Sequence, residues 1–365
     1  MNDTMKKIFW LGLLILTALT AYAQKPELRY VQASELNVIG RVGPVAQPYQ
    51  RVDVAQFPEL TAAESALLRQ SAGMAVTFRT DSPIITARAK YKKKYNGTNS
   101  TMIAGAGFDL YIRRDGAWLY AGSQVQKNTA ADLTPVTLVR QMDTTLKECL
   151  LYLPLFSELE SLEIGTEQGS TLEPMENPFR RRIAYFGSSF THGSGTSRAG
   201  MAYPSQLERG TGLYFINLGV SGNSKLQPVF ADILCRTDAE AFVLDGFSNP
   251  QAEEVEARLF PFIDRIRAVR PDVPIVFVRT VHREGCNFDL VKQAHFEDRI
   301  ARAARMARLA TERYSDVYFL DIPDLTGTDH VTSTDGTHPS DLGYWRWAER
   351  LQGPLLEILA RYGIE

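Results

Sequence analysis

The sequence is poor in the residues that support disulfide, redox and metal chemistry. It contains 3 cysteines and 5 histidines among 365 residues. The number of cysteines (Cys149, Cys235 and Cys286) is odd, and the spacings of cysteines and histidines match no metal motif. We therefore expect free, buried thiols and no metal site.

An excess of positive charge, a phosphate loop and long internal apolar runs are also missing. The formal net charge of −2 gives no reason to expect nucleic acid as a partner, and no Gly-x-x-x-x-Gly-Lys motif occurs. The one long apolar run, "IFWLGLLILTALT", follows "MKK" and precedes "AYA", which is typical of a signal peptide. We expect cleavage after Ala23 and a secreted or periplasmic protein with no membrane span after cleavage. No cysteine follows the run, which argues against a lipid anchor.

The first half of the mature chain, residues 24–172, carries short alternating or apolar runs separated by turn signals. Examples are "AVTFRT", "IITARAKY" and "GFDLYIRRDGAWLYAG", and "RRDGAW" within the last predicts a hairpin. One short helix is expected within residues 57–73. This pattern predicts a mostly antiparallel β domain, a sandwich or jelly roll.

The second half, residues 173–365, alternates between apolar runs and helical patterns. Strands are predicted at "RIAYFGS", "LYFINLGV", "AFVLDGF", "IVFVRTV" and "VYFLDI", and helices over 251–270, 289–314 and 340–361. Strand–helix alternation with near-continuous apolar strands predicts an α/β fold with a doubly wound parallel sheet.

Polar and small residues follow the predicted strands of this half. In a parallel sheet the carboxyl ends of the strands share one edge, where ligands bind. The residues expected there include a serine, two asparagines and an Asp–His pair: Ser189, Asn223, Asn249, Asp335 and His338. Serine needs a base to become a nucleophile, and histidine needs an acceptor that orients it. This set therefore predicts acyl transfer.

Four blocks, "FGSSFTHGSG", "NLGVSGNS", "DGFSNP" and "DGTHP", occur in this order, and in them the chain resembles the SGNH, or GDSL-type, hydrolases. "GFDLY" resembles an accessory β domain that precedes one bacterial branch. The resemblance implies a flavodoxin-like three-layer α/β/α fold. Two departures stand out: Ser188 takes the place of the usual aspartate, and the third block has an extra residue between Gly246 and Asn249.

The resemblance implies Ser189 as nucleophile, His338 as base and Asp335 as the residue that orients His338. The oxyanion would be held by the backbone N–H groups of Ser189 and Gly222 and by the Asn249 side chain, for which Asn223 is the alternative. Side chains that could line the pocket are His192, Arg198, Asn223, Arg279 and His282.

We therefore expect an exported serine esterase that removes short acyl groups, above all O-acetyl groups, from a small-molecule or polysaccharide ester, without a cofactor. A lysophospholipase or arylesterase is one alternative, although no apolar lid insertion is visible. A non-catalytic glycan-binding module is the other, although such a module has no need of an intact Ser, Asp and His set.

Overall fold

The computed structural model describes residues 26–127 and 133–365. The predicted signal peptide and its cleavage site lie outside these residues. Among the helices of the described ranges, none combines the length and the apolar character needed to cross a membrane.

The first half of the chain, the β region (residues 28–174), forms two antiparallel sheets. Its strands are β1 (Leu28–Gln32), β2 (Asn37–Ile39), β3 (Ala75–Thr80), β4 (Ile84–Lys93), β5 (Phe108–Arg114), β6 (Ala117–Gln124), β7 (Val136–Arg140), β8 (Lys147–Tyr152), β9 (Glu158–Glu167) and β10 (Leu172–Pro174). One sheet has the order β1-β9-β4-β7; the other has the order β10-β3-β8-β5-β6, with β2 beside β3. The predicted domain boundary, between 172 and 173, falls within β10.

The two sheets share one apolar core, as in a sandwich. Phe78 and Leu151 from one sheet lie in the same buried cluster as Ala87 and Ile164 from the other. Strands β5 and β6 form the hairpin predicted at "RRDGAW", with Asp115 and Gly116 at φ +52° and +81°. Two central residues at positive φ are what a type I′ turn requires.

Two helices interrupt the β region, α1 (Ala62–Leu68) and α2 (Met102–Ala106). Helix α1 lies inside the predicted range 57–73. It begins at a capping box, in which Thr61 and Glu64 each accept a backbone hydrogen bond from the other.

The second half, the α/β region (residues 180–365), contains a parallel sheet of β11 (Arg180–Gly187), β12 (Leu213–Gly219), β13 (Ala241–Asp245), β14 (Ile275–Val278) and β15 (Val317–Leu320). The order is β12-β11-β13-β14-β15, which is the flavodoxin-like order. The predicted α/β fold with a doubly wound parallel sheet is confirmed. Every residue of β12 and β13 is buried, which explains why the sequences of these strands are almost continuously apolar.

The helices of the α/β region are α3 (Ser189–His192), α4 (Tyr203–Thr211), α5 (Pro228–Arg236), α6 (Ala252–Val269), α7 (Leu290–Arg313) and α8 (Asp341–Ala360). The last three coincide with the predicted ranges. Helices α4 and α5 were not predicted, because nine residues span too few turns to reveal a helical period. Short 3₁₀ helices occupy Ala33–Glu35, Val54–Gln56, Ala199–Met201 and Glu284–Cys286.

The three cysteines are free thiols. Cys149 and Cys286 are buried, whereas Cys235 is half-buried. Burial raises the pKa of each thiol, so these cysteines lack the thiolate character of a reactive nucleophile.

The fold places three loops side by side. Gly187 at the end of β11 pairs with Gly219 of β12 on one side and with Asp245 of β13 on the other. From β11 the chain crosses to β12 on one side, whereas from β13 it crosses to β14 on the other side. The edge between β11 and β13 is therefore the topological switch point, where ligands bind in open α/β sheets.

Candidate active site

The turn after β11 places Ser189 at the first position of helix α3. A Cβ on Gly187 would lie 2.0 Å from Thr191 Oγ1, so only glycine lets the strand pass so closely beneath the helix. Ser188 caps the helix by accepting the Phe190 N–H at 3.1 Å. The helix ends after one turn at Gly193, which has φ +104°.

A buried carboxylate from the neighbouring strand holds this turn. Asp245 accepts hydrogen bonds from Ser188 Oγ at 2.7 Å, from Ser248 Oγ at 2.7 Å and from Thr191 Oγ1 at 3.3 Å. Burial raises the pKa of Asp245, although these hydrogen bonds oppose the shift. Ser188, directly before Ser189, is therefore held by a carboxylate from the neighbouring strand β13.

Ser189, His338 and Asp335 form one chain of hydrogen bonds. Ser189 Oγ lies 2.9 Å from His338 Nε2, and His338 Nδ1 lies 2.7 Å from Asp335 Oδ2. A carboxylate can only accept at Nδ1, so it selects the tautomer with the proton there and leaves the Nε2 lone pair for the serine hydroxyl.

A compact turn carries Asp335 and His338. Asp335 Oδ1 accepts the backbone N–H groups of Thr337 at 2.9 Å and His338 at 2.7 Å. Partial burial raises the pKa of Asp335, but these bonds and the one from the His338 ring outweigh it, so the pKa lies below its ordinary value. Gly336 adopts φ +81°, and the Phe190 ring meets the His338 ring edge-on at 5.7 Å.

The two candidate oxyanion asparagines differ in what their amide groups contact. Asn249 Oδ1 accepts the Ser224 N–H at 3.2 Å, which turns its NH₂ group away from that backbone. Asn223 Nδ2 donates to Ser221 O at 2.9 Å, so its amide is already engaged. Gly222 is exposed, with φ +73°.

His192 does not line the pocket, and this prediction is corrected. The side chain is fully buried: Nε2 lies 2.8 Å from Leu155 O, and the ring stacks on Phe156 at 4.3 Å. Burial, with a contribution from Arg51, holds the pKa of His192 well below its ordinary value. Helix α3 turns this residue toward the β region, which closeness in sequence to Ser189 could not reveal.

The prediction that Arg198 lines the pocket is also corrected, because its side chain contacts the β region instead. Its guanidinium lies 2.9 Å from Asp109 Oδ2 and also contacts Tyr111 Oη. Asp109 Oδ2 accepts the Gly200 N–H at 2.8 Å, and Arg209 lies 4.1 Å above the Tyr111 ring. The Asp and Tyr of "GFDLY" therefore hold the segment that follows Ser189.

A buried arginine forms a second contact between the two regions, in addition to that of Arg198 with Asp109. Arg51 of the β region donates to the Asn217 and Gly219 carbonyls at 3.0 and 2.8 Å. Its remaining bonds go to the Gln70 and Leu67 carbonyls. Burial lowers the pKa of Arg51 to about 9. The two hydrogen bonds to Asn217 and Gly219 fix the end of β12, just before Gly222.

Arg279 and His282 follow β14, near the same edge of the sheet. Arg279 is paired with Asp321 at 2.6 Å, and the exposed His282 ring lies 2.7 Å from Asn287 Oδ1. Their neighbour Arg283, which was not predicted, donates to Ser248 O at 2.6 Å. Burial lowers the pKa of Arg283 to about 10, so its guanidinium stays charged at neutral pH. The roles of Asp245 and Asp109 in holding the loop of Ser189 were also not predicted. For Asp109, the "GFDLY" motif was the available signal.

Two family models match the chain. The model of the GDSL-like lipase/acylhydrolase family matches residues 180–356, and the GxDLY model, the N-terminus of SGNH hydrolase-type esterases, matches residues 28–172. A comparison with curated proteins gave no match.

Solved structures are similar over most of the chain. A GDSL-like protein from Bacteroides ovatus ATCC 8483 is 38% identical, with a TM-score of 0.88 over 92% of this chain and 98% of that one. The salicylyl-acyltransferase SsfX3 from a tetracycline biosynthetic pathway is 23% identical (TM-score 0.65; 91% and 98% covered). A family two carbohydrate esterase from Cellvibrio japonicus is 13% identical (TM-score 0.59; 92% and 99% covered). The last two likenesses show the fold alone.

Proposed function

Because this chain belongs to the GDSL-like lipase/acylhydrolase family, with the N-terminal domain of SGNH-type esterases, we propose that it hydrolyses short acyl esters through Ser189, His338 and Asp335. The observation that carries the proposal is the continuous hydrogen-bonded chain from Ser189 Oγ through the His338 ring to Asp335. Its leading substrate class is an O-acetylated carbohydrate, which an exported enzyme would meet outside the cytoplasm.

The reaction follows from this chain of contacts. Ser189 Oγ attacks the acyl carbon while its proton moves to His338 Nε2, and Asp335 stabilises the imidazolium that forms. His338 then gives the proton to the leaving alcohol, and an acyl-serine remains. Water, deprotonated by His338, attacks the acyl-serine, and the carboxylic acid and free Ser189 are released.

The negative oxygen of each tetrahedral intermediate needs donors that already point toward it. The N–H of Ser189 has no partner inside α3, because the first residues of a helix never do. Asn249 is the better side-chain donor, since the bond from Ser224 to its Oδ1 leaves the NH₂ group for a ligand. The Asn223 NH₂ group already donates one of its two hydrogens to Ser221 O, which leaves one hydrogen and fixes its direction.

Small and polar residues beside Ser189 support a short acyl group and a hydroxylated leaving group. Gly222 offers no apolar wall, whereas each buried methylene of a longer chain would need one to gain about 0.8 kcal/mol. Family two carbohydrate esterases share the fold, which is consistent with a sugar ester.

A lipolytic enzyme is the second candidate, and one observation favours it. Phe288, Leu290 and Val291, in the segment after β14, are 98%, 76% and 82% exposed. Exposed apolar clusters of this kind often contact lipid or other apolar partners.

A series of p-nitrophenyl esters from acetyl to octanoyl separates the two candidates. We expect kcat/KM to fall with chain length, and acetate to be released from at least one of a panel of acetylated xylans, mannans and pectins. Phe288→Ser should leave acetyl ester hydrolysis unchanged. Highest activity on octanoyl esters, lost in Phe288→Ser and without acetate release from the panel, would establish the lipolytic candidate instead.

A further inference from the structure

Two histidines and a glutamate meet outside the proposed catalytic residues. Nε2 or Nδ1 of His282 and of His330 and one carboxylate oxygen of Glu284 all lie within 4.8 Å of one another. We propose that these three side chains bind a late first-row divalent cation, with Zn²⁺ as the best fit, and that the bound ion joins the loop after β14 to the loop that carries Asp335 and His338.

The backbone presents His282 and Glu284 on one side. The residue between them, Arg283, is extended, with φ −111° and ψ +117°. Side chains two positions apart on an extended chain point the same way. The sequence spacing therefore supplies one imidazole and one carboxylate to the same point.

The third side chain comes from a distant loop. His330 Nδ1 lies 2.9 Å from Glu284 Oε2. His330 adopts φ +58°, a conformation that residues other than glycine rarely take. This backbone turn directs an imidazole back toward Glu284, which lies 46 residues earlier in the chain.

Asn287 forms hydrogen bonds with two of the three proposed ligands. Its Nδ2 donates to Glu284 Oε2 at 2.6 Å, and its Oδ1 lies 2.7 Å from His282 Nε2. With Nε2–H of His282 donating to Asn287, Nδ1 is the nitrogen that would bind the ion, and Asn287 would orient both His282 and Glu284 as outer partners do at metal sites.

The donor set selects the ion. Two imidazoles and one carboxylate form a known zinc set, in which a fourth position stays open to water. Mg²⁺ and Ca²⁺ prefer oxygen ligands, so the two nitrogens disfavour them. Tetrahedral ligands at about 2.1 Å from zinc lie roughly 3.4 Å apart. The three donor groups lie within 4.8 Å of one another, and His330 Nδ1 lies 2.9 Å from Glu284 Oε2, so small movements of the two exposed imidazoles would bring the set to that spacing. Both also line a groove of about 430 Å³, which gives an ion a path from solvent.

The position of the site gives the ion a structural role. The Gly285 N–H already donates to Gly336 O at 2.6 Å, and Gly336 lies between Asp335 and Thr337. An ion held by His282, Glu284 and His330 would add a second link between the same two loops. It would stabilise the turn that holds the proposed base without contacting Ser189.

Zinc titration of the mature, untagged protein after chelator treatment tests the proposal. Calorimetry should give one Zn²⁺ per chain, and saturating Zn²⁺ should raise the thermal midpoint. Co²⁺ should produce the visible absorption of a four-coordinate site with nitrogen ligands. His330→Ala should weaken Zn²⁺ binding at least tenfold and remove the thermal shift, whereas His295→Ala, an exposed histidine on α7, should change neither.

Glu284→Gln supplies a second variant, because it keeps the shape of the side chain and removes only the charge. It should weaken Zn²⁺ binding while the metal-free thermal midpoint stays close to that of the wild type. If the wild type shows no saturable binding, or if His330→Ala and Glu284→Gln bind Zn²⁺ as tightly as the wild type, the three residues form a hydrogen-bonded loop contact only and the proposal is wrong.

Discussion

The two loops that supply the proposed triad are built in opposite ways. The loop of Ser189 is enclosed: Asp245 holds its start, and Asp109 of the β region holds the backbone of Gly200 further along. The turn of Asp335 and His338 is more exposed and is held mainly by bonds within itself. The position of the nucleophile thus depends on both regions of the molecule, whereas the position of the base depends on a local turn.

Replacement of the nucleophile should have the largest effect on activity. Ser189→Ala should lower kcat on p-nitrophenyl acetate by a factor on the order of 10⁶, because among the described residues no other hydroxyl forms a hydrogen bond with His338 Nε2. The thermal midpoint should hardly change. Ser170→Ala, at a turn of the β region, is the matched control. A folded Ser189→Ala protein that keeps more than about a tenth of wild-type kcat would remove Ser189 from the mechanism.

The role of Asp335 can be tested without loss of the backbone hydrogen bonds that hold the turn of Asp335 and His338. In Asp335→Asn, Oδ1 can still accept from Thr337 and His338, but the amide no longer selects the Nδ1 tautomer of His338. We expect kcat to fall about 10⁴-fold with little loss of stability. Asp329→Asn, an exposed aspartate on the same loop that pairs with Arg346, should stay close to wild-type activity. Equal kcat values for the two variants would contradict the assignment.

The side-chain donor to the oxyanion should show a smaller effect. Asn249→Ala should lower kcat by about 10²–10³ with little change in KM, because the interaction forms in the transition state. Asn223→Ala should be milder, because its amide bonds to Ser221. The opposite ranking in steady-state kinetics would make Asn223 the donor.

The contact by which Asp109 of the β region holds the Ser189 loop can be removed. Asp109→Asn leaves Arg198 facing a neutral group in a buried place, so we expect the free energy of unfolding to fall by about 3 kcal/mol. We also expect kcat to fall about tenfold, since small displacements of a reacting group are costly. Urea unfolding and steady-state kinetics measure the two effects. Glu173→Gln, at an exposed acid on β10, is the control. If this variant behaves like Asp109→Asn, the contact of Asp109 with Arg198 and Gly200 has no specific role.

The smallest effect concerns pH and a buried acid between the two regions. Glu208 on α4 bonds to Tyr152 Oη at 2.9 Å, and burial raises the pKa of Glu208 to about 8. Between its ordinary value of 4.5 and about 8, the folded chain keeps a proton that the unfolded chain releases. The stability contribution is therefore complete below pH 4.5 and is lost as pH rises toward 8.

Glu208→Gln cannot release that proton. Urea midpoints at pH 5, 6.5 and 8 should fall more steeply for the wild type than for Glu208→Gln. Glu173→Gln, at an exposed position on β10, should follow the wild type. Parallel curves for the wild type and Glu208→Gln would show that Glu208 ionises normally.

Much of the α/β region could be predicted because its signals are local. Buried parallel strands appear as apolar runs, and helices of 18 to 24 residues contain enough turns to reveal their period. The strand-end rule also brought Ser189, Asp335 and His338 to one edge, where the structure joins them. Asn249 stayed ambiguous because the orientation of its amide depends on a bond to Ser224 from another loop.

The remainder depends on contacts between distant parts of the chain. His192 looked like a pocket residue because it follows Ser189 closely, but the β region covers it with Phe156. Arg198 looked like a residue of the pocket rim because its partner Asp109 lies 89 residues earlier. The same reason hid the cluster of His330 with Glu284, which lie 46 residues apart and show no metal-ligand spacing in the sequence.

The Arg51 contacts have a consequence for the order in which the two regions fold. The acceptors Asn217 and Gly219 follow Arg51 by 166 and 168 residues, so the β region cannot satisfy this guanidinium by itself. Until β12 is in place, only the Gln70 and Leu67 carbonyls are available to it, and burial of a cation without its partners is costly. We therefore expect the face of the β region around Arg51 to close only when the α/β region folds onto it.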